Sequence, residues 1–583
     1  MIVPSPPVGD PRLIVIEFCL AALAPAVAFA WSGMGSSAFS RIERSFAGLA
    51  RKQGLAVLIV GLGALLLRIA ILPRFPVPLP FIPDDFSFLL AAETFAHGRL
   101  TNLTPAMWPH FETLHLTMQP TYVSMYFPGQ GLLLAAGQVF LGNPWFAMLA
   151  ADALMCAAIC WMLQAWLPPN WAFLGGILSI LRLGIFSYWV NTYSGGALVA
   201  ALGGALVLGS LPRLTKTARF RYGLLMAVGI VLMAYTRPYE GMLLCLPVAA
   251  VLGRWAFFGK NKPATAVLIR RAAFPLALVV AGGAWMGYYD YRAFGSPLTL
   301  PYTVDRATYA IAPYYVWQSK RPAPVYRHET LREFYCDFEG GGTARRQSLS
   351  LFVSETLAKG WRGLIFFSGA ALLAPLIMLR RVLLDRRVRF LVLCVLILAA
   401  GMAIEIFMIA HYLAPFTAAF YAIGLQAMRH LRLWKPEGRP MGLTWVRLTV
   451  CICIAMTGLR LFADPLHIAP PKWPPGEWVS EWYGPGYFGV ERARIAAQLE
   501  GLPGKQLVIV RYSSNHYPFE EWVYNAADID NSKVVWAREM DVDHDRELLH
   551  YYADRKVWLV QPDSLPPTVS PYQGPAQSAA NQR

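Results

Sequence analysis

Apolar and polar positions along this chain segregate into long blocks rather than into short periods. Apolar runs near the bilayer-spanning length of about 17–25 residues stand at 13–31, 55–72, 145–167, 240–257, 361–379, 390–409, 412–428 and 444–463. Shorter or weaker runs stand at 127–142, 195–211, 223–236 and 274–289. Residues 171–193 read either as one span or as two short ones broken near Arg182 and Gly184. The pattern predicts an all-α polytopic membrane protein of about 12–14 transmembrane helices. Past 463 it changes. Leu507–Arg511, Val534–Ala537 and Val557–Val560 are short β-branched runs and Glu547–Tyr552 has a helical pattern, so 464–562 predicts a small α/β unit. Residues 563–583, rich in Pro, Ser, Gln and Ala, predict a disordered tail.

Basic loops then orient the spans. Arg41, Arg44, Arg51 and Lys52 form one cluster, and Arg213, Lys216, Arg219 and Arg221 a second. Arg254, Lys260, Lys262, Arg270 and Arg271 form a third, Arg380, Arg381, Arg386, Arg387 and Arg389 a fourth, and Arg429, Arg432, Lys435 and Arg439 a fifth. An excess of Lys and Arg marks the cytoplasmic side. Residues 1–54 therefore read as a retained N-terminal helix, with Glu17 inside it, and a cytoplasmic loop; 55–463 read as the membrane domain. The crossings between the first two clusters must be even in number. The runs at 55–72, 127–142, 145–167 and 195–211 make four, so 171–193 is expected to supply two short broken crossings, which are tolerated where backbone lines a protein cavity. Loops 73–126 and 290–360, and the unit after 464, then face away from the cytosol, which predicts an inner (plasma) membrane protein with a periplasmic C-terminal domain. Within the first loop Phe86–His97 reads as an amphipathic helix, preceded by Pro83-Asp84-Asp85 and stopped by Gly98, with its Phe and Leu side chains in the lipid boundary.

Composition removes the soluble alternatives. Of 583 residues 56% are hydrophobic and 15% charged, against about 25% charged in a typical soluble domain. The net charge of +16 sits in the short loops just described and asks for no nucleic-acid partner. The eight cysteines show no zinc-ligand spacing, and Cys336 stands alone in a polar loop.

Asp84 and Asp85 are the sharpest chemical feature. Two carboxylates just outside a span can accept the proton of an attacking hydroxyl; an Asp at a helix start also caps free backbone N–H groups. Trp108-Pro109-His110-Phe111-Glu112-Thr113-Leu114-His115 gathers imidazole, carboxylate and aromatic groups in the same loop, a set that suits sugar binding or interfacial anchoring. His110 with Glu112 supplies two of the three protein ligands a metal site needs. Tyr188, Asn191, Tyr193 and Ser194 form an outward polar-aromatic patch, and His411 with Tyr412 closes the same side. Glu405 lies in a span and needs a partner. His516, Glu520 and Glu521 follow the first C-terminal strand without nucleophile or phosphate-loop spacing.

A long first external loop opening on a paired acidic motif and an adjoining helix resembles the GT-C superfamily of multi-pass glycosyltransferases. That superfamily includes the protein O-mannosyltransferases and the aminoarabinose transferase of lipid A. The residues carrying the resemblance are Pro83-Asp84-Asp85, Tyr126-Phe127-Pro128-Gly129-Gln130-Gly131, the broken helices around 171–193, and His411-Tyr412-Leu413-Ala414-Pro415. In layout it covers about residues 55–463. The C-terminal α/β unit differs from the larger external domains of several members, which leaves the acceptor, whether glycan, lipid or protein, open. The resemblance implies a sugar donor on a polyprenyl phosphate, drawn from among the membrane lipids, and an inverting displacement with Asp84 or Asp85 as base. A leaving phosphate calls for positive charge, for which Arg237 in Thr236-Arg237-Pro238-Tyr239-Glu240 and the buried Arg182 are the candidates, with His411 and Tyr412 lining the lipid-phosphate cavity. No cofactor is named by the sequence; a divalent cation is left open. A transporter or flippase for an envelope precursor, which would more often show repeated halves, and a non-catalytic envelope scaffold are the alternatives.

Overall fold

The computed structural model describes residues 11–33, 35–259, 262–343, 348–463, 465, 466, 468 and 487–574. Among them seven helices are long and apolar enough to cross a membrane: Arg12–Ala30, Gln53–Ala70, Pro144–Trp166, Ala197–Thr217, Pro238–Phe258, Thr265–Phe294 and Met441–Leu461. An eighth follows if Ala374–Leu384 and Arg389–Ile404, bent by 111°, count as one span. The chain is a helical multi-pass membrane protein. The range of about 12–14 crossings is reached only by adding shorter, broken or more polar helices, among them Phe220–Thr236, Leu349–Ser368 and Thr417–Arg432. The run at 361–379 is not one helix: Leu349–Ser368 stops at Gly369, whose φ is 55°, and a 3₁₀ turn, Ala374–Met378, follows.

Two segments differ from the expectation, and the differences cancel. Pro128–Leu141 has 14 residues, roughly 21 Å of helix at about 1.5 Å per residue, too short for a hydrocarbon core of about 30 Å. It stays at one level. Near its start Gln130 donates to the Tyr193 carbonyl at 2.8 Å. Just past its end Trp145 donates to the Val190 carbonyl at 2.7 Å, with Arg68 4.7 Å over its ring. Segment 169–191, by contrast, crosses once in pieces: Pro169–Ser179, a π-helical turn at Ile180–Gly184, and Tyr188–Asn191. Phe173 stacks on Phe46 at one end (4.6 Å), and Asn191 accepts from Arg68 at the other (3.1 Å). One crossing is lost and two become one, so the count between the first two basic clusters stays even.

The polar regions gather at one end. Tyr309 donates to Glu112 at 2.9 Å, linking loop 290–360 to loop 73–126, and His110 Nδ1 lies 2.9 Å from the Arg538 carbonyl of the C-terminal unit. The basic clusters meet at the other end, where Glu43 pairs with Arg447 (2.8 Å) and Arg432 (3.3 Å), and Arg271 donates to the Ala218 carbonyl.

Helix Pro83–Ala96 begins three residues earlier than its pattern suggests, because Pro83 suits the first helical position and both acids then fall in the first turn. Its apolar residues do not face lipid. Phe86 stacks on Tyr524 of the C-terminal unit (4.4 Å, 5°), Phe88 stacks on Tyr126 (4.4 Å), and Leu90 is buried. Tertiary packing takes the face that periodicity had assigned to the membrane.

The first loop carries a short hairpin, β1 (Leu116–Thr117) and β2 (Val123–Ser124). The C-terminal unit holds β3 (Gln506–Val510), β4 (Val534–Arg538), β5 (Lys556–Gln561) and β6 (Thr568–Pro571) in the order β4-β3-β5-β6, parallel except for the last pair. Helices Tyr487–Glu500 and Val542–Tyr551 accompany the sheet. The tail expected to be disordered from 563 instead pairs β6 on β5; only 575–583 of it lie outside the described residues.

Candidate functional site

Asp84 and Asp85 occupy neighbouring positions and do different things. Asp85 is fully buried and both its oxygens are committed to backbone: the Phe81 N–H donates to Oδ2 (3.3 Å) and the Tyr193 N–H to Oδ1 (3.0 Å). Burial pushes its carboxyl up to about 7, Asp84 adds to the rise, and the backbone donors oppose it. Asp85 thus ties helix Pro83–Ala96 to the segment before Ala197–Thr217.

Asp84 has no backbone partner of this kind, and about a fifth of its side chain, 21%, is exposed. The Tyr126 hydroxyl donates to Oδ1 at 2.6 Å, and His115 Nδ1 lies 3.4 Å from Oδ2. Burial pushes this carboxyl up, but the charge of His115 and the hydrogen bonds from His115 and Tyr126 outweigh it and hold Asp84 at about 2. Asp84 is therefore an anion throughout the physiological range.

A second group of side chains shares this space. Tyr302, in helix Pro301–Thr308, sets its ring edge against Tyr126 (5.4 Å) and interacts electrostatically with both Asp84 and Arg237. Arg237 sits between Phe220–Thr236 and Pro238–Phe258. Its Nε and Nη2 donate to the Gly195 carbonyl (3.0 and 2.9 Å), Glu240 lies 3.9 Å from Nη1, and the guanidinium rests 4.4 Å over the Tyr412 ring. Gly195 has φ +87°, and a side chain there would fall 3.1 Å from the His411 ring, so glycine is what lets that carbonyl reach Arg237. The backbone N–H of His411 donates to the Tyr188 hydroxyl at 2.9 Å, and that hydroxyl is 2.9 Å from Nδ1 of the same imidazole. Asp84, Arg237, Glu240, His411 and Tyr412 are thus brought together. Tyr239 lies at the margin, its hydroxyl on the Gly401 carbonyl (3.1 Å) and its ring near Tyr315 (5.7 Å).

Arg182, His110 and Glu112 are placed elsewhere. Arg182 pairs with Glu17 at 3.6 Å, Arg460 lies 3.8 Å from the same carboxylate, and Arg182 also donates to the Phe366 carbonyl. His110 contacts carbonyls of the C-terminal unit, whereas Glu112 takes Tyr309, with Arg327 at 3.5 Å and His328 at 3.8 Å. The two residues serve different contacts, and no group of three His, Cys, Asp or Glu side chains among the described residues is arranged to hold a metal ion. The carbonyl of Glu405 accepts from Lys359, which also donates to the Met402 carbonyl at 3.0 Å.

Sequence reasoning passed over His115, Tyr126 and Tyr302 as site residues. His115 closes the segment that drew attention to His110, and Tyr126 opens the Tyr126-Phe127-Pro128 motif, so both signals were present. Tyr302 lies just behind Pro301, and nothing in its position points to Tyr126 in a distant loop.

No family model and no curated protein matches this sequence. Among solved structures, it is similar to the oligosaccharyltransferase of Archaeoglobus fulgidus in complex with zinc and sulfate: 12% identity, TM-score 0.46, covering 87% of this chain and 67% of that one. It is also similar to ArnT from Cupriavidus metallidurans in the apo state: 13% identity, TM-score 0.48, covering 86% and 93%. A further structure of the archaeal enzyme, with an inhibitory peptide and a dolichol-phosphate, gives a TM-score of 0.38 at 12% identity. At such identities no residue of those proteins assigns a role to a residue of this one.

Proposed function

We propose that this chain is a membrane glycosyltransferase of the GT-C type, moving a sugar from a polyprenyl-phosphate donor to an extracytoplasmic acceptor, with Asp84 as the base. The observation that carries the reading is the pairing, at one end of the helical domain, of a partly open, permanently ionised carboxylate with a buried guanidinium across a patch of tyrosines. In the reaction the acceptor hydroxyl oxygen attacks the anomeric carbon, the bond from that carbon to the phosphate oxygen breaks, and its electron pair leaves with the phosphate. Asp84 receives the hydroxyl proton as the new bond forms, and Arg237 offsets the charge gathering on the phosphate. Nε and Nη2 of Arg237 are held by the Gly195 carbonyl and Nη1 faces Glu240 at 3.9 Å, so the guanidinium is fixed in place and a phosphate would share its charge with Glu240. Tyr302, Tyr412 and His411 line the space between.

The test uses purified protein in lipid nanodiscs supplied with synthetic polyprenyl-phosphate pentoses and hexoses, reading release of polyprenyl phosphate. Asp84→Asn is expected to lower the rate by about 10²–10⁴-fold, the range for loss of a positioned base, with unchanged elution on size exclusion. An Asp84→Asn protein as fast as the wild type overturns the reading.

A further inference from the structure

His115 is an unusual residue in an unusual place. Its backbone stands at φ 61°, the left-handed region that a non-glycine L residue seldom enters. The conformation is fastened from both sides: Ser87 donates to the His115 carbonyl at 2.7 Å and the Met125 N–H to the same carbonyl at 3.2 Å. The side chain is buried, edge-on to Phe334 at 5.5 Å. Strain held in this way aims a side chain, and this one is aimed at Asp84 and Tyr126.

The hydrogen inventory fixes a proton on one ring nitrogen. The Tyr126 hydroxyl spends its hydrogen on Asp84 at 2.6 Å, yet its oxygen lies 3.1 Å from His115 Nδ1. That oxygen must accept there, so Nδ1 carries a proton shared between Tyr126 and the Asp84 oxygen 3.4 Å away. Further acids face the imidazole from the second external loop. Asp305 is buried, its Oδ2 lies 3.4 Å from the Tyr335 hydroxyl, and its Oδ1 has no hydrogen-bond partner among the described residues. Glu339 is paired with Arg306 at 3.1 Å. Burial pushes the imidazole toward neutrality, but Asp84 first, then Asp305 and Glu339, raise it above its ordinary value.

We propose that His115 is the positioning residue of the site, clamped by a left-handed backbone so that its Nδ1–H, together with the Tyr126 hydroxyl, holds the Asp84 carboxylate toward the incoming hydroxyl. The proposal rests on Asp84 being the base, and its test separates the two. The first readout needs no substrate. A hydrophobic carbodiimide adds to a protonated carboxyl, so the pH at which Asp84 begins to be modified, followed by peptide mass spectrometry, reports its ionisation. His115→Asn keeps a polar side chain, tolerates positive φ and removes the charge; the labelling midpoint of Asp84 is expected to rise by about 1–3 pH units, the effect of a close opposite charge. His115→Lys returns a cation and is expected to bring the midpoint back down. The second readout is the pH profile of polyprenyl-phosphate release. The wild type should lose activity on the alkaline side as His115 deprotonates, and His115→Asn should be slower and lack that limb.

An unchanged labelling midpoint in His115→Asn, or an alkaline limb that persists in it, overturns the proposal for His115 even where Asp84→Asn is inactive. An active Asp84→Asn protein overturns the base assignment whatever the labelling shows. Elution and thermal midpoint in detergent identify a variant that has failed to fold, and His115→Gly, which relieves the backbone strain, then replaces it in the labelling experiment.

Discussion

Arg538 joins the C-terminal sheet to loops 73–126 and 290–360, and removing it has a calculable cost. Its guanidinium pairs with Glu521, whose side chain is wholly buried, and donates to Thr330 at 3.2 Å and to the Glu112 carbonyl at 3.4 Å. Burial pushes the Glu521 carboxyl up, but the Arg538 charge, the Tyr512 hydroxyl and the Val523 N–H bring it below its ordinary value. Arg538→Met keeps most of the stem and strands a buried carboxylate, a change worth about 3–5 kcal/mol. At about 1.4 kcal/mol per tenfold, amide hydrogen exchange across Gln506–Val510 and Val534–Arg538 should quicken by roughly 10²- to 4 × 10³-fold at pH 7. The double variant Arg538→Met/Glu521→Gln removes both charges and should recover most of that loss. The sign reverses with pH. In the wild type the Glu521 contribution is complete above about pH 4.3 and fades as the pH falls through the lower native value. In Arg538→Met the lone carboxyl titrates upward instead, so the deficit of the variant should shrink as the pH is lowered toward about 4. Exchange in Arg538→Met within tenfold of the wild type at pH 7, or a double variant as labile as the single one, would refute this account of the interface.

Asp85→Ala leaves the Phe81 and Tyr193 N–H groups without their acceptor and should cost about 1–3 kcal/mol in thermal unfolding. Because the native Asp85 carboxyl sits at about 7, its protonated form favours the fold: that contribution is full below about pH 4 and is lost as the pH rises toward 7, a slope absent from Asp85→Asn. Fully exposed Val325 and exposed Arg387 lie at opposite ends of the molecule; Val325→Cys in whole cells should react with a membrane-impermeant maleimide, and Arg387→Cys only after lysis.

Much of this was legible in advance where one physical rule acts alone. Long apolar runs located the spans at Gln53–Ala70, Pro144–Trp166 and Met441–Leu461 within a few residues, and β-branched clusters located β3, β4 and β5. The charge pattern separated the ends. Reading failed where two rules compete. Pro128–Leu141 is as apolar as a span, and only its 14-residue length and the contacts at its two ends, Gln130 with Tyr193 and Trp145 with Val190, hold it at one level. Phe86 and Phe88 suit lipid as well as they suit Tyr524 and Tyr126. The acidic pair was visible, but the division of labour between Asp84 and Asp85 was not, because it depends on which of them meets the Tyr193 N–H, a partner 108 residues away. His110 stood out by composition and His115 by nothing except its neighbours; the backbone angle that matters has no signature in the letters.

Helix Pro83–Ala96 receives its outer wall from the C-terminal unit: Phe86 lies flat on Tyr524, and Glu93 accepts the N–H of Ala527 at 3.0 Å across 434 residues. Chains are made from the N-terminus and their early parts fold first. The acid-bearing helix is therefore made long before the strands that cover it leave the ribosome. A nascent chain interrupted ahead of β3 would leave the Phe86 ring and the Glu93 carboxylate without their cover, so the wall of the site is completed only when synthesis is nearly finished.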